Sequence, residues 1–108
     1  MAAKTYEVPM KVRSAAKKGL ELHAEHGHGG TEVGLEMAGK LSSGREMSGE
    51  DVLHVSKYFP RHAGDNLEQD GSDGKTPSNG YIAWLLWGGD AGREWSEKLK
   101  AELEEQKS

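Results

Sequence analysis

Tyr81-Ile82-Ala83-Trp84-Leu85-Leu86-Trp87 is the most hydrophobic stretch of this 108-residue sequence, and its reading decides the fold. Pro77-Ser78-Asn79-Gly80 opens it, and Gly88-Gly89 breaks the chain behind it. Trp84 and Trp87 stand three positions apart, the spacing at which side chains become neighbours on a helix. Beyond the break Trp95, Leu99 and Leu103 recur every fourth residue, so a further helix follows. Asp90 is placed to cap that helix, and Trp95 to pack back across the glycines. Trp84, Trp87 and Trp95, with Tyr58, Phe59 and Tyr81, are read as an aromatic core, since large rings bury the area that few aliphatics can supply. The competing reading is an exposed aromatic patch for a partner.

Composition explains why so much rests on these rings. Only 34% of the residues are hydrophobic. Leu, Ile, Val and Phe together make up about one residue in six, below the level of about 20% at which an ordered core becomes doubtful. The second condition for disorder is a large net charge, and the formal balance is only −4. A single small domain with a tail fits the length, with no room for a deeply walled active-site cavity. No apolar run approaches the roughly 18–20 residues that cross a bilayer. The first residues lack the apolar core and cleavage site of a secretory signal. Cysteine is absent, which excludes disulfides, thiolate catalysis and cysteine-held zinc or iron–sulfur sites. These features suit a cytoplasmic protein.

Working toward the N-terminus, Val52, Val55 and Phe59 lie on one side of a third helix, with Leu53 and Tyr58 nearby. Ser48 and Asp51 form a capping-box-like start, and Pro60 predicts a stop at or just before Phe59. Before it, Thr31 caps a second helix carrying Val33, Leu35, Met37, Ala38 and Leu41, and Ser42-Ser43-Gly44 ends it. A first helix opens at Pro9 and carries Val12, Ala15, Ala16, Gly19 and Leu20 as its apolar stripe; Gly27, Gly29 and Gly30 end it near His26. No stretch shows the alternation of a half-buried strand. The expectation is all-α, with four to five short helices, glycine-rich corners and one long polar loop. Residues 1–8 form an N-terminal arm, 9–101 the helical domain with its loop at 63–76, and 102–108 a frayed acidic tail.

Charge is distributed unevenly. Acids and bases nearly cancel through His62, whereas from Ala63 onward acids outnumber bases two to one. Lys11, Arg13, Lys17 and Lys18 on the first helix, with Lys57, Arg61 and His62 at the end of the third, form a candidate basic face for a protein partner or nucleic acid. The bland reading of helical lysines is a solvated side. A helix-turn-helix formed by the second and third helices is disfavoured by the long connection from Ser42 to Met47 and by Glu50 and Asp51 at the start of the would-be recognition helix. His23, His26 and His28 have the spacing of three zinc ligands, with His54 or His62 as a distant fourth; against this stands a simple role at a helix C-terminus. Gly27-His28-Gly29-Gly30-Thr31 precedes a helix as phosphate-wrapping loops do, yet lacks the Lys-Ser/Thr pair and the preceding strand of a P-loop. Asp70 to Gly74 lacks the ligand pattern of a calcium loop. No cofactor and no catalytic arrangement stand out.

Lys11 to Gly34 (KVRSAAKKGLELHAEHGHGGTEVG), Tyr58 to His62 (YFPRH) and Pro77 to Trp95 (PSNGYIAWLLWGGDAGREW) resemble a small uncharacterised domain of tailed bacteriophages, found alone or attached to virion and head-assembly proteins. The resemblance spans roughly Val8 to Leu99 and implies a phage-type helical domain with no catalytic residue to carry over. It places the chain in the host-cell cytoplasm or the virion. The positions of His23, His26 and His28 tend to hold other residues in similar sequences, as does that of Pro60. The expected function is therefore a non-enzymatic interaction module for a protein partner, in virion assembly or directed at the host. Nucleic-acid binding through the basic face is the alternative, and a metal protein or enzyme through the histidine cluster the third.

Overall fold

The computed structural model describes residues 5–44, 46–62 and 76–107; the polar loop predicted at 63–76 falls, apart from Thr76, outside them. The fold is all-α, with five helices among the described residues: α1 (Met10–His26), α2 (Glu32–Ser42), α3 (Gly49–His62), α4 (Asn79–Leu86) and α5 (Gly89–Lys107). Sequence-readable caps set most of the boundaries. Thr31 Oγ1 accepts from the Gly34 amide, Ser48 Oγ from Asp51, and Ser78 Oγ from Tyr81, each at 3.1–3.2 Å. Gly27 ends α1 in the left-handed conformation and donates its amide to His23 O at 2.8 Å.

α1 packs on α2, α4 and α5, while α3 packs chiefly on α5. α3 and α5 run antiparallel: Gly49 at the start of α3 faces Leu103, and Phe59 near its end faces Gly92. The core fills the space between these elements with Val12, Ala16, Leu41, Val52, Val55, Phe59, Ile82 and Leu86. Around Phe59 the rings interlock, Trp84 edge-on at 4.8 Å and Tyr58 edge-on at 5.2 Å. Tyr58, Phe59, Trp84 and Trp87 are buried, whereas Trp95 and Tyr81 are half-buried. Trp95 packs against the core from beyond the Gly88-Gly89 corner, as its spacing suggested.

Gly19 permits a close approach of α1 to the backbone of α4. A Cβ there would lie 2.7 Å from the Leu86 amide nitrogen and 3.0 Å from the Leu85 carbonyl carbon. α4 therefore rests on α1 through its backbone, without an intervening side chain.

Several expectations change. A two-residue strand β1 (Thr5–Tyr6) pairs antiparallel with β2 (Met47–Ser48), in the register Thr5 with Ser48 and Tyr6 with Met47. Two residues are too few to show alternation. Tyr6 and Val8 are buried in the core, so 5–8 belong to the domain and not to a loose arm. At the other end α5 is helical through Lys107, so the acidic tail continues the helix; Lys100 and Glu104 pair along it at 3.8 Å. α3 does not stop at Phe59 but runs through Pro60 to His62. Proline removes the bond to the Ser56 carbonyl, one bond near the helix end, and the rings of Tyr58 and His62, one turn apart, stack at 4.3 Å across it. Asp90 lies inside α5, where it accepts the Trp84 indole N–H at 2.9 Å instead of capping the helix.

The packing makes opposite predictions for two helical glycines. Gly19→Ala drives a methyl group into the α4 backbone and destabilises the fold by about 1–3 kcal/mol. Gly39, where an added Cβ meets nothing within 4 Å, gains stability as alanine. That gain is about 0.5–1 kcal/mol through helix propensity. Thermal denaturation of the two variants should shift in opposite directions.

Candidate functional site

The sequence-predicted residues do not form one face. Lys57, Arg61 and His62 line a cleft of about 480 Å³ between the second half of α3 and the starts of α2 and α4. Lys11, Lys17 and Lys18 are exposed on α1 and take no part in it. Arg13 is half-buried, its guanidinium laid over the backbone at Gly44, where it closes the end of α2. The basic face thus divides into a cleft wall on α3, a solvated side of α1 and one structural arginine. α2 packs chiefly on α1 and α4 and not as one half of a helix-turn-helix with α3, to which the Lys40 Nζ–Asp51 Oδ1 pair links it at 3.5 Å.

One wall of the cleft is aromatic. Trp87 and Tyr58 stack at 4.8 Å with their planes 10° apart, and His62 stacks on Tyr58 at 4.3 Å. The exposed His54 stands edge-on to Trp87 at 5.1 Å. Residues 54, 58 and 62 follow one another at four-residue spacing, so α3 presents them as a single row. Lys57 and Arg61 form a second row at the same spacing beside it.

The opposite wall is made of helix starts. Gly29, Gly30, Thr31 and Val33 come from the entry to α2, Asn79 and Gly80 from the entry to α4. The first turn of any helix leaves amides without intrahelical acceptors and carries the positive end of the helix dipole. Thr31 and Ser78 each satisfy the third amide of their helix, and the first two amides of both helices have no acceptor within the helix. Among the described residues that line the cleft there are two permanent cations, three histidines and no carboxylate.

The histidine cluster builds this wall. His23 Nδ1–H donates to the carbonyls of His28 (3.2 Å) and Gly29 (2.9 Å), holding the turn after α1. His28 Nε2–H donates to the carbonyl of the buried Pro77 at 2.8 Å, tying that turn to the entry of α4 across 49 positions of sequence. Gly29, at φ +94°, lets the turn lie directly on Ile82 of α4. His26 sits 6.0 Å from the His28 ring, and its Nε2 lies 3.8 Å from Glu25. Two of the three rings thus direct a protonated nitrogen at backbone carbonyls, and among the described residues no three His, Asp or Glu side chains converge on a point a metal could occupy.

Sequence reading missed His54, Val33, Asn79 and Gly80 as cleft residues. Val33, named among the apolar residues of the second helix, is 49% exposed at the cleft. The caps Thr31 and Ser78 were visible signals of two helix starts. Their convergence depends on the His28–Pro77 bond, which no local pattern encodes. The glycine-rich segment before Thr31 is a helix-to-helix turn, as its lack of P-loop residues indicated, and it also forms part of the cleft wall.

The chain matches no protein-family model, no curated protein and no solved structure in the comparisons made with them. Among the described residues no helix is long and apolar enough to cross a membrane.

The clamp geometry separates a structural role for the histidines from a metal-binding one. His28→Ala leaves the Pro77 carbonyl buried without its donor and lowers stability by about 1–2 kcal/mol. Equimolar zinc or excess chelator leaves the melting temperature of the unaltered protein in place, whereas a zinc site would shift it in both experiments.

Proposed function

We propose that the chain is a non-enzymatic binding module that takes nucleic acid in the cleft between α3 and the starts of α2 and α4. The observation that carries this reading is charge segregation. A chain with a net charge of −4 keeps every carboxylate out of the described lining of this cleft and places Lys57 and Arg61 there beside an aromatic row. Excess acid elsewhere on the surface repels a polyanion, so an acid-free cationic recess is where one settles. Phosphate contacts supply sequence-independent affinity, and the exposed His54 at the edge of the row is the ring a base can meet. The resemblance to a domain of tailed bacteriophages suits a module working on viral or host nucleic acid in an infected cell.

A second reading, the acidic segment of a protein partner in virion assembly or host takeover, is favoured by Val33. Its exposed side chain at the cleft offers the apolar contact that peptide recognition uses beside charge.

Gel retardation of mixed oligonucleotides, repeated across a salt series, tests the proposal. With two cations engaged on single strands, log K falls against log salt with a slope of about −1.4. The pair Lys57→Glu and Arg61→Glu abolishes retardation, whereas Lys17→Glu with Lys18→Glu, on the other face, leaves most of it. Absence of retardation at low salt, or loss only in the α1 pair, overturns the assignment.

A further inference from the structure

Resting on that reading, we infer that the cleft takes one unpaired nucleotide, a nucleoside phosphate unit held by its phosphate and its base together, and rejects duplex. The size of the recess is the first argument. At about 480 Å³ the recess is of the size of one nucleotide, and an unpaired base can enter it ring first, whereas in a duplex the ring faces are stacked on their neighbours and only base edges reach a protein.

The second argument is the division of chemistry between the walls. Anion-binding groups approach the cleft from two sides. From α3 come Lys57 and Arg61, one turn apart and both exposed, so that their charged ends can close on one phosphate without further folding. From the facing wall come Val33, Asn79 and Gly80, which occupy the first turns of α2 and α4, where backbone amides have no acceptor inside their own helices. Two helix starts converging on the same recess as two cations form a phosphate site that neither helix start makes alone. Beside it lies the ring wall, where His54, exposed and edge-on to Trp87, is the member an incoming base meets. Phosphate and base therefore have separate seats within one nucleotide's reach, and a bare phosphate or a bare nucleoside fills only one.

A nucleoside phosphate reaches such a site either as a free nucleotide or as an unpaired position in a strand, and the two sources present the same groups. The experiment uses the full chain and follows tryptophan fluorescence, since Trp87 lines the cleft. The titrants are AMP, adenosine, inorganic phosphate, an unpaired 12-nucleotide oligothymidylate and the matching duplex. AMP and the oligothymidylate are expected to bind and compete with each other, with adenosine and inorganic phosphate each at least 10-fold weaker than AMP. Duplex is expected to be at least 10-fold weaker than the unpaired strand. Arg61→Ala should weaken AMP and the oligothymidylate alike by 10-fold or more. His54→Ala, a change at an exposed side chain that leaves the core intact, should weaken AMP but not inorganic phosphate.

AMP binding without competition by the strand identifies a free nucleotide as the source. It retains the single-nucleotide site while removing the strand-binding reading. Duplex binding as tight as the unpaired strand, with AMP neither binding nor competing, overturns the single-nucleotide site and leaves the cleft as a general nucleic-acid surface. If none of these titrants binds, both assignments fall. Circular-dichroism melts of the two variants confirm that each is folded when it is titrated.

Discussion

α4 lies against α1 with backbone in contact, because Gly19 has no side chain to hold it away from the Leu85–Leu86 peptide. This contact sets the depth at which the apolar helix is seated, and its other surfaces follow. Ile82 and Leu86 are brought under the turn at Gly29 and Gly30, and Trp84 is delivered to Phe59 and to Asp90. Trp87, at the end of α4, reaches Tyr58 on α3. In a chain with so few aliphatic residues, close helix approach does what bulky core residues do elsewhere: it removes void volume, and each short helix buries its face on two neighbours. The same seating aligns the start of α4 with the start of α2.

The cleft is therefore a by-product of core packing that has been furnished with polar groups. The base of its aromatic wall, the Trp87–Tyr58 stack, is buried and contributes to stability whether or not anything enters. Its rim residues, Lys57, Arg61, His54 and Val33, are exposed and contribute little to the core. Substitutions on the rim can thus change what the cleft holds without unfolding it, and substitutions in the stack do both. His28 sits between these classes, since its Nε2–H joins the α2 and α4 entries of one wall from within the lining.

Local rules of capping and periodicity were enough to locate the helices. Thr31 and Ser48 announce two of the starts, Gly27 ends α1 as residue chemistry requires, and Ser78, within the segment that opens the apolar stretch, proves to cap α4. The departures have equally physical causes. Pro60 was read by its intrinsic preference, but two residues from the helix end it forgoes a single backbone bond, and the turn also carries the His62–Tyr58 stack. Tyr6 and Val8 were read as an arm because a two-residue strand has no period to detect. The functional residues were legible only in part. Lys57, Arg61 and His62 stand out by type, but Lys11, Lys17 and Lys18 have the same type and take no part in the cleft. Only tertiary placement separates them, since electrostatic character alone does not say which helix faces a recess. The histidines illustrate the converse: their spacing fits metal ligation, while their partners turn out to be carbonyls of a turn and of Pro77.

Pro60 carries one more consequence. It leaves the last turn of α3, the turn that bears Arg61 and His62, one backbone hydrogen bond short, with the side-chain stack of His62 on Tyr58 added across it. A helix end secured in this way opens more readily than one secured by its full ladder. Anything that contacts Arg61 and His62 in their closed positions must then tighten the turn by the same free energy with which the closed turn improves the contact. Order at the end of α3 and occupancy of the cleft are a single linked equilibrium, and hydrogen exchange in that turn is a meter of what the cleft contains.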